Sequence, residues 1–149
     1  MQVSLLKDTL LSQVSNGATA GTSAVTTSVV DMGTSPGFDA ALFVASLGTV
    51  TSTCVLTLTV YENATNSNSG GSAVSSGSCT ITDSGGATSN TLLAVDVLRP
   101  TKRYLYATLT RTTANAVVND ITCQQYRAKS VPVTQGSTVS ASAVSSSEV

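Results

Sequence analysis

The sequence contains no histidine and no tryptophan, and only 10% of its 149 residues are charged, against about 25% in an ordinary globular domain. Without histidine it lacks the side chain whose ordinary pKa lies near neutrality, the usual general acid or base. A chain so poor in titratable groups is expected to fill space and make contacts rather than to catalyse, so no enzyme activity is expected. Aromatic residues are 4% of the total, four Tyr and two Phe. The core must therefore be built from Val, Leu, Ile and Ala, which suits thin β-layers. The net charge of −1 gives no long-range attraction to nucleic acid or to a membrane surface. No apolar run approaches the roughly 18 residues of a membrane span. In residues 1–14 the charges of Lys7 and Asp8 cancel, and no long apolar core or small-residue cleavage site follows Leu10 and Leu11. A secretory signal peptide is not expected there.

What is present is hydroxyl. Serine and threonine fill about a third of all positions. A surface of neutral hydroxyls repels its own copies little, so many copies can sit side by side; an ordinary β-domain with a Ser/Thr-rich surface fits the composition equally well. The length favours one domain, large enough to bury about 68–70% of its unfolded surface. The three cysteines, Cys54, Cys79 and Cys123, are odd in number and show no metal-knuckle spacing. Cys54 and Cys123 stand inside strand-like runs as small apolar residues, and a Cys54–Cys79 bridge is the pairing left open. Mostly reduced thiols fit assembly in a cytoplasm. No cofactor or metal site is expected.

Along the chain, Val3, Leu6, Leu10 and Val14 recur at helical spacing, and Asn16-Gly17 then marks a turn. Residues 1–23 are read as an N-terminal arm or short helix that packs on a neighbour. From residue 24 the pattern is β. Residues 24–31 form a first strand, and residues 38–47 (FDAALFVASL) are almost continuously apolar, so both faces are expected to be buried. Residues 54–61 alternate, with Cys54, Leu56, Leu58 and Val60 on one face and Thr57 and Thr59 on the other. Residues 62–78 read as a long exposed loop or a hairpin with a flexible tip. Strands follow at 79–82 and 91–98, the latter stopped by Arg99-Pro100. Residues 103–113 and 117–129, joined through Ala114-Asn115, read as the clearest hairpin. The expected organisation is a β-sandwich domain over residues 24–133 and a C-terminal tail over 134–149. Seven or eight strands with regular turns indicate an all-β fold, a single jelly-roll-like antiparallel sandwich with extended arms.

The motifs carry little chemistry. Asn63-Ala64-Thr65 matches a glycosylation acceptor by accident, and Gly70-Gly71 and Gly85-Gly86 are turn glycines rather than phosphate loops. Six of the seven basic residues, Arg99, Lys102, Arg103, Arg111, Arg127 and Lys129, fall near the last two strands. They form either a docking edge for an acidic protein or, the favoured reading, a solvated sheet edge whose charges oppose aggregation. Asp39 and Asp96 are read as partners of Arg99 or Arg103, or as exposed sheet positions, rather than as a catalytic or calcium pair. Tyr104, Tyr106, Tyr126 and Arg127 make either a sticky face or plain cross-strand packing.

Three segments, GFDAALFVASLG (37–48), VDVLRPTKRYLYATLTR (95–111) and NAVVNDITCQQYRAKSVPV (115–133), resemble in order and spacing the small capsid decoration, or cement, proteins of tailed bacteriophages. The resemblance covers about residues 24–135; the terminal arms and residues 62–78 lie outside it. It implies a jelly-roll domain forming homotrimers on the outer surface of the capsid. There the trimer would clamp neighbouring copies of the major capsid protein near three-fold positions, after assembly in the host cytoplasm. The partners it implies are the major capsid protein and the chain itself, with no nucleic acid and no membrane. Candidate interface residues are Val3, Leu6, Leu10, Arg99, Arg103, Tyr104, Tyr126 and Arg127. Deleting the first fifteen residues is expected to weaken capsid binding and leave the domain folded. A phage tail or head-fibre component and a carbohydrate-binding jelly roll, its site shaped by residues 62–78, remain as alternatives.

Overall fold

The structure, a computed structural model, describes residues 4–145. One helical turn, α1 (Leu5–Asp8), precedes the strands β1 (Leu10–Ser15), β2 (Ala18–Gly21), β3 (Val25–Thr26), β4 (Val30–Asp31), β5 (Phe38–Val50), β6 (Val55–Asn63), β7 (Ser72–Thr82), β8 (Leu92–Leu98), β9 (Tyr104–Thr112) and β10 (Ala116–Ala128). They form two antiparallel sheets packed face to face. The first is ordered β1-β10-β5-β8 with β2 also on β10; the second is ordered β3-β9-β6-β7 with β4 also on β9.

Taken as interrupted strands, β1 with β2 and β3 with β4 reduce the ten to eight. The first then pairs with the last, the second with the seventh, the third with the sixth and the fourth with the fifth. The chain is one long antiparallel hairpin, with its tip between β6 and β7, wrapped so that alternate stretches fall in opposite sheets. That is the strand order of a jelly roll. The fold is an all-β sandwich, and its core is largely aliphatic, with Phe38 and Phe43 packed into it. Leu47, Leu56, Leu58, Leu105, Leu109 and Ile121 are at most 1% exposed.

The alternation of residues 54–60 holds in three dimensions: Cys54, Leu56, Leu58 and Val60 are fully buried, and Thr57 and Thr59 face outward. The run at 38–47 is more one-sided than its composition implied. Phe43, Ala45 and Leu47 enter the core, while Leu42 and Val44 are only half-buried on the outer face. The first expected strand is split in two at Thr27, a fully buried residue whose hydroxyl accepts the Ala107 N–H at 3.0 Å and donates to Ser28 O at 2.9 Å.

Three readings need correction. Residues 10–21 are part of the sandwich rather than an arm. β1 and β2 pair with β10, and Leu10 and Val14 belong to the core at 8% and 6% exposure. A spacing of four places two residues on one face of a helix and equally on one face of a strand; the helix takes only Leu5–Asp8. Deleting the first fifteen residues would therefore remove an edge strand and part of the core. Between β1 and β2 the chain approaches β10 closely. A side chain at Gly17 (φ 82°) would lie 2.1 Å from Val118 O, so only glycine fits.

The segments read as the clearest hairpin lie in opposite sheets. The three residues between β9 and β10 cross the sandwich as a corner, with Thr113 at φ 73°. Arg111 holds this corner from inside. It is 3% exposed, and its guanidinium donates to Ser23 O and Thr19 O, both at 2.8 Å, and to Ala116 O at 2.5 Å.

Residues 62–78 are mostly a hairpin whose second strand begins at Ser72, seven residues earlier than the sequence indicated. It carries a bulge with Ser76 at φ 57°. Asn63 organises its tip: the side-chain amide donates to Ser67 O and Ser69 O, and its oxygen accepts from the Thr65 N–H and hydroxyl.

The tail packs on its own protomer as far as Thr138. The Val133 N–H donates to Lys7 O, and the Gln135 amide donates to Leu6 O and Thr9 O at 2.8 and 2.7 Å. The three thiols are free. Cys79 pairs in register with Leu58, four residues from Cys54, or about 13 Å along a strand, well beyond the roughly 7 Å limit for a disulfide.

Candidate protein interface

Strand direction sorts the loops between two ends of the sandwich. Residues 32–37, 64–71, 99–103 and 129–135 gather with α1 at one end; residues 22–24, 51–54, 83–91 and 113–115 gather at the other. The charges divide with them. The first end holds Lys7, Arg99, Lys102, Arg103, Arg127 and Lys129 together with Asp8, Asp31, Asp39 and Glu62. The second holds Asp83 and, beside the corner, Arg111, both buried. Apart from Arg111, the basic grouping seen in the sequence is thus an end of the molecule rather than a strand edge, and acidic residues share it.

Several of those charges are matched internally. Arg103 Nε and Nη2 donate to Asp31 Oδ1 and Oδ2 at 2.7 and 2.9 Å, and the guanidinium lies 5.2 Å from the centre of the Tyr104 ring. The Arg103 bond, more than offsetting burial, holds the Asp31 carboxyl below its ordinary range. Glu62 accepts the Thr101 hydroxyl and N–H at 2.6 and 2.9 Å and is lowered by those bonds. At the other end, Asp83 accepts the Thr88 hydroxyl and N–H at 2.6 and 2.8 Å and the Gly86 N–H at 2.6 Å, which also holds its carboxyl low. Among the described residues, Arg99, Arg127 and Lys129 make no side-chain hydrogen bond or ion pair. Arg99 and Arg127 stand at positive φ, 50° and 55°.

Beside this end, a groove of about 500 Å³ runs between α1 and the outer face of the first sheet, lined by Leu5, Leu42, Gln124, Tyr126, Arg127 and Val131 among others. Leu5 and Val131 are 66% and 59% exposed. The Tyr126 hydroxyl donates to Asp96 at 2.7 Å, so Asp96 answers a tyrosine and neither arginine proposed for it. Of the candidate residues, Tyr126 and Arg127 meet at this groove. Arg99, Arg103 and Tyr104 lie around the charged end. Leu10 is buried in the core, Leu6 is half-buried with its carbonyl bonded to Gln135, and Val3 lies outside the described residues. The sequence did not single out Leu5, Leu42 or Val131; Leu42 was hidden inside an apolar run.

The outer face of the second sheet is different in kind. In register, Thr80, Thr57 and Thr110 form one row across β7, β6 and β9, and Ser78, Thr59, Thr108 and Thr26 form the next, extended to β3. Hydroxyls bond across it, Thr57 to Thr80 at 2.8 Å and Thr26 to Thr108 at 3.2 Å. No charged residue occupies either row.

No group of three or more potential metal ligands comes together among the described residues. The arrangement offers packing surface and hydrogen bonds. No protein-family model matches the sequence, and no curated protein matches it.

Proposed function

We propose that this protein is a structural virion component that decorates the head of a tailed bacteriophage. As a homotrimer on the outer surface of the capsid it clamps neighbouring copies of the major capsid protein near three-fold positions, and it performs no catalysis. The observation that carries the reading is the pairing of a jelly-roll fold with a charge-free lattice of threonine and serine over the second sheet. A module repeated many times on a curved shell must crowd against its copies without repulsion. Neutral hydroxyls already bonded to one another meet that need.

The clamp works by adding contact area across the seams between capsomers. At about 25 cal/mol per Å² of apolar surface, a few hundred Å² per seam supplies several kcal/mol before ordering costs are subtracted. Repeated at every three-fold, this opposes the outward pressure of packaged DNA. The groove beside α1 and the unpaired Arg99, Arg127 and Lys129 are the surface best suited to the shell protein. Cryo-electron microscopy of the particle tests the reading by showing whether the protein's density lies on the head.

A further inference from the structure

The first sheet treats its two edges differently. On β1, the N–H groups of Leu11 and Gln13 are met by Gln135 Oε1 at 3.0 Å and Thr138 Oγ1 at 3.3 Å, so the C-terminal segment covers that edge. The other edge, β8, has no strand beyond it among the described residues.

The hydrogen-bond phase of β8 is fixed by its ends. Thr91 O accepts the Leu47 N–H, and the Arg99 N–H donates to Asp39 O. Odd-numbered residues therefore face β5, and Leu92, Ala94, Asp96 and Leu98 aim their N–H and C=O groups out of the sheet. Only the half-buried Cys79 thiol, reaching over from β7, lies beside one of them, the Ala94 N–H. Apart from the single charge of Asp96, the usual protections of an edge are lacking among the described residues. β8 contains no lysine and no proline, and its register with β5 is unbroken from Leu92 to Leu98. Leu92 and Leu98 are 65% and 59% exposed on the outer face.

We infer that β8 is a self-association edge, at which two copies pair β8 against β8, antiparallel, about a two-fold axis through Val95. Outward hydrogen bonds require even residues opposite even residues. Centred on Val95, Leu92 meets Leu98 of the second copy and Ala94 meets its Asp96, so all four outward residues pair and each exposed leucine covers another. Centred on Asp96, the strand would set two carboxylates face to face, which is destabilising. Centred on Ala94, it would set Leu92 against Asp96 and leave Leu98 unpaired. The contact is isologous and does not rest on the decoration reading. On a shell, it would tie one trimer to its neighbour.

Cysteine cross-linking of the full chain reads the register directly. Leu92→Cys and Leu98→Cys variants, each with Cys79→Ser, are oxidised separately and as a mixture. Opposed residues lie about 5.5 Å apart between Cα atoms, within disulfide reach, whereas two copies of position 92 are about 20 Å apart along the ladder. A covalent dimer in the mixture, with at least about tenfold less in either variant alone, is expected. No dimer in the mixture, or equal yields in all three samples, overturns the inference. Leu98→Lys, at an exposed position that leaves folding intact, should remove the two-fold association step in sedimentation; unchanged association overturns the inference as well.

Discussion

Tyr126 on β10 donates its hydroxyl to the Asp96 carboxylate on β8, 2.8 and 2.7 Å from its two oxygens, across the intervening strand β5. Ala40, which stands between Tyr126 and Leu98 in the register, is fully buried although it shares the outward phase of Leu42. Burial and, after it, the Asp96 bond push the Tyr126 hydroxyl up to about 12 from 10.0. The folded state thus holds this proton more tightly than the unfolded chain, so the contribution is complete below about pH 10 and is lost as pH rises through about 12. Tyrosinate titration followed in the ultraviolet should show a late-ionising component from Tyr126. Tyr126→Phe should remove that component and cost about 1 kcal/mol at neutral pH. If the late component persists in the variant, the assignment to Tyr126 fails.

The corner between β9 and β10 depends on Arg111, a buried cation that answers three carbonyls. Arg111→Ala leaves those carbonyls unsatisfied, at about 1–3 kcal/mol each before relaxation. The expected loss in urea denaturation is about 3 kcal/mol or more, and Arg111→Lys, lacking the planar fork, should recover only part of it. A loss below about 1 kcal/mol for the alanine variant would show that the corner holds without the guanidinium.

Asp83 supports the loop between β7 and β8 by accepting three hydrogen bonds as a carboxylate. Its folded-state pKa is depressed, chiefly by the Thr88 hydroxyl. The stabilisation is therefore present above the ordinary aspartate value of about 3.9 and is lost as pH falls through the lower folded value. Asp83→Ala should be less stable than the parent at pH 7, and the gap should close in acid. Thermal melts of both proteins from pH 7 downward measure it; a gap that stays constant would assign the loss to packing.

Much of this was legible in the sequence, because the core strands obey a single period. Leu56, Leu58 and Val60, and Leu105, Ala107 and Leu109, announce both strand and inner face. The N-terminal segment was ambiguous for a physical reason: Leu10 and Val14, four apart, fit two periodicities, and pairing with β10 decided between them. The corner was hidden because nothing local distinguishes a tight hairpin turn from a crossing between sheets, and arginine ordinarily marks a surface. Residues that complete the candidate interface come from distant segments: Leu5, Leu42, Asp96 and Tyr126 are joined by sheet order, which no window of sequence contains.

The measurement that bears most directly on the decoration reading is a cryo-electron microscopy reconstruction of the phage particle on which that reading places the protein. The reading predicts trimeric jelly-roll density on the outer head surface at local three-fold positions, bridging neighbouring capsid subunits. A head surface without that density, or the same jelly roll found on the tail, would contradict it.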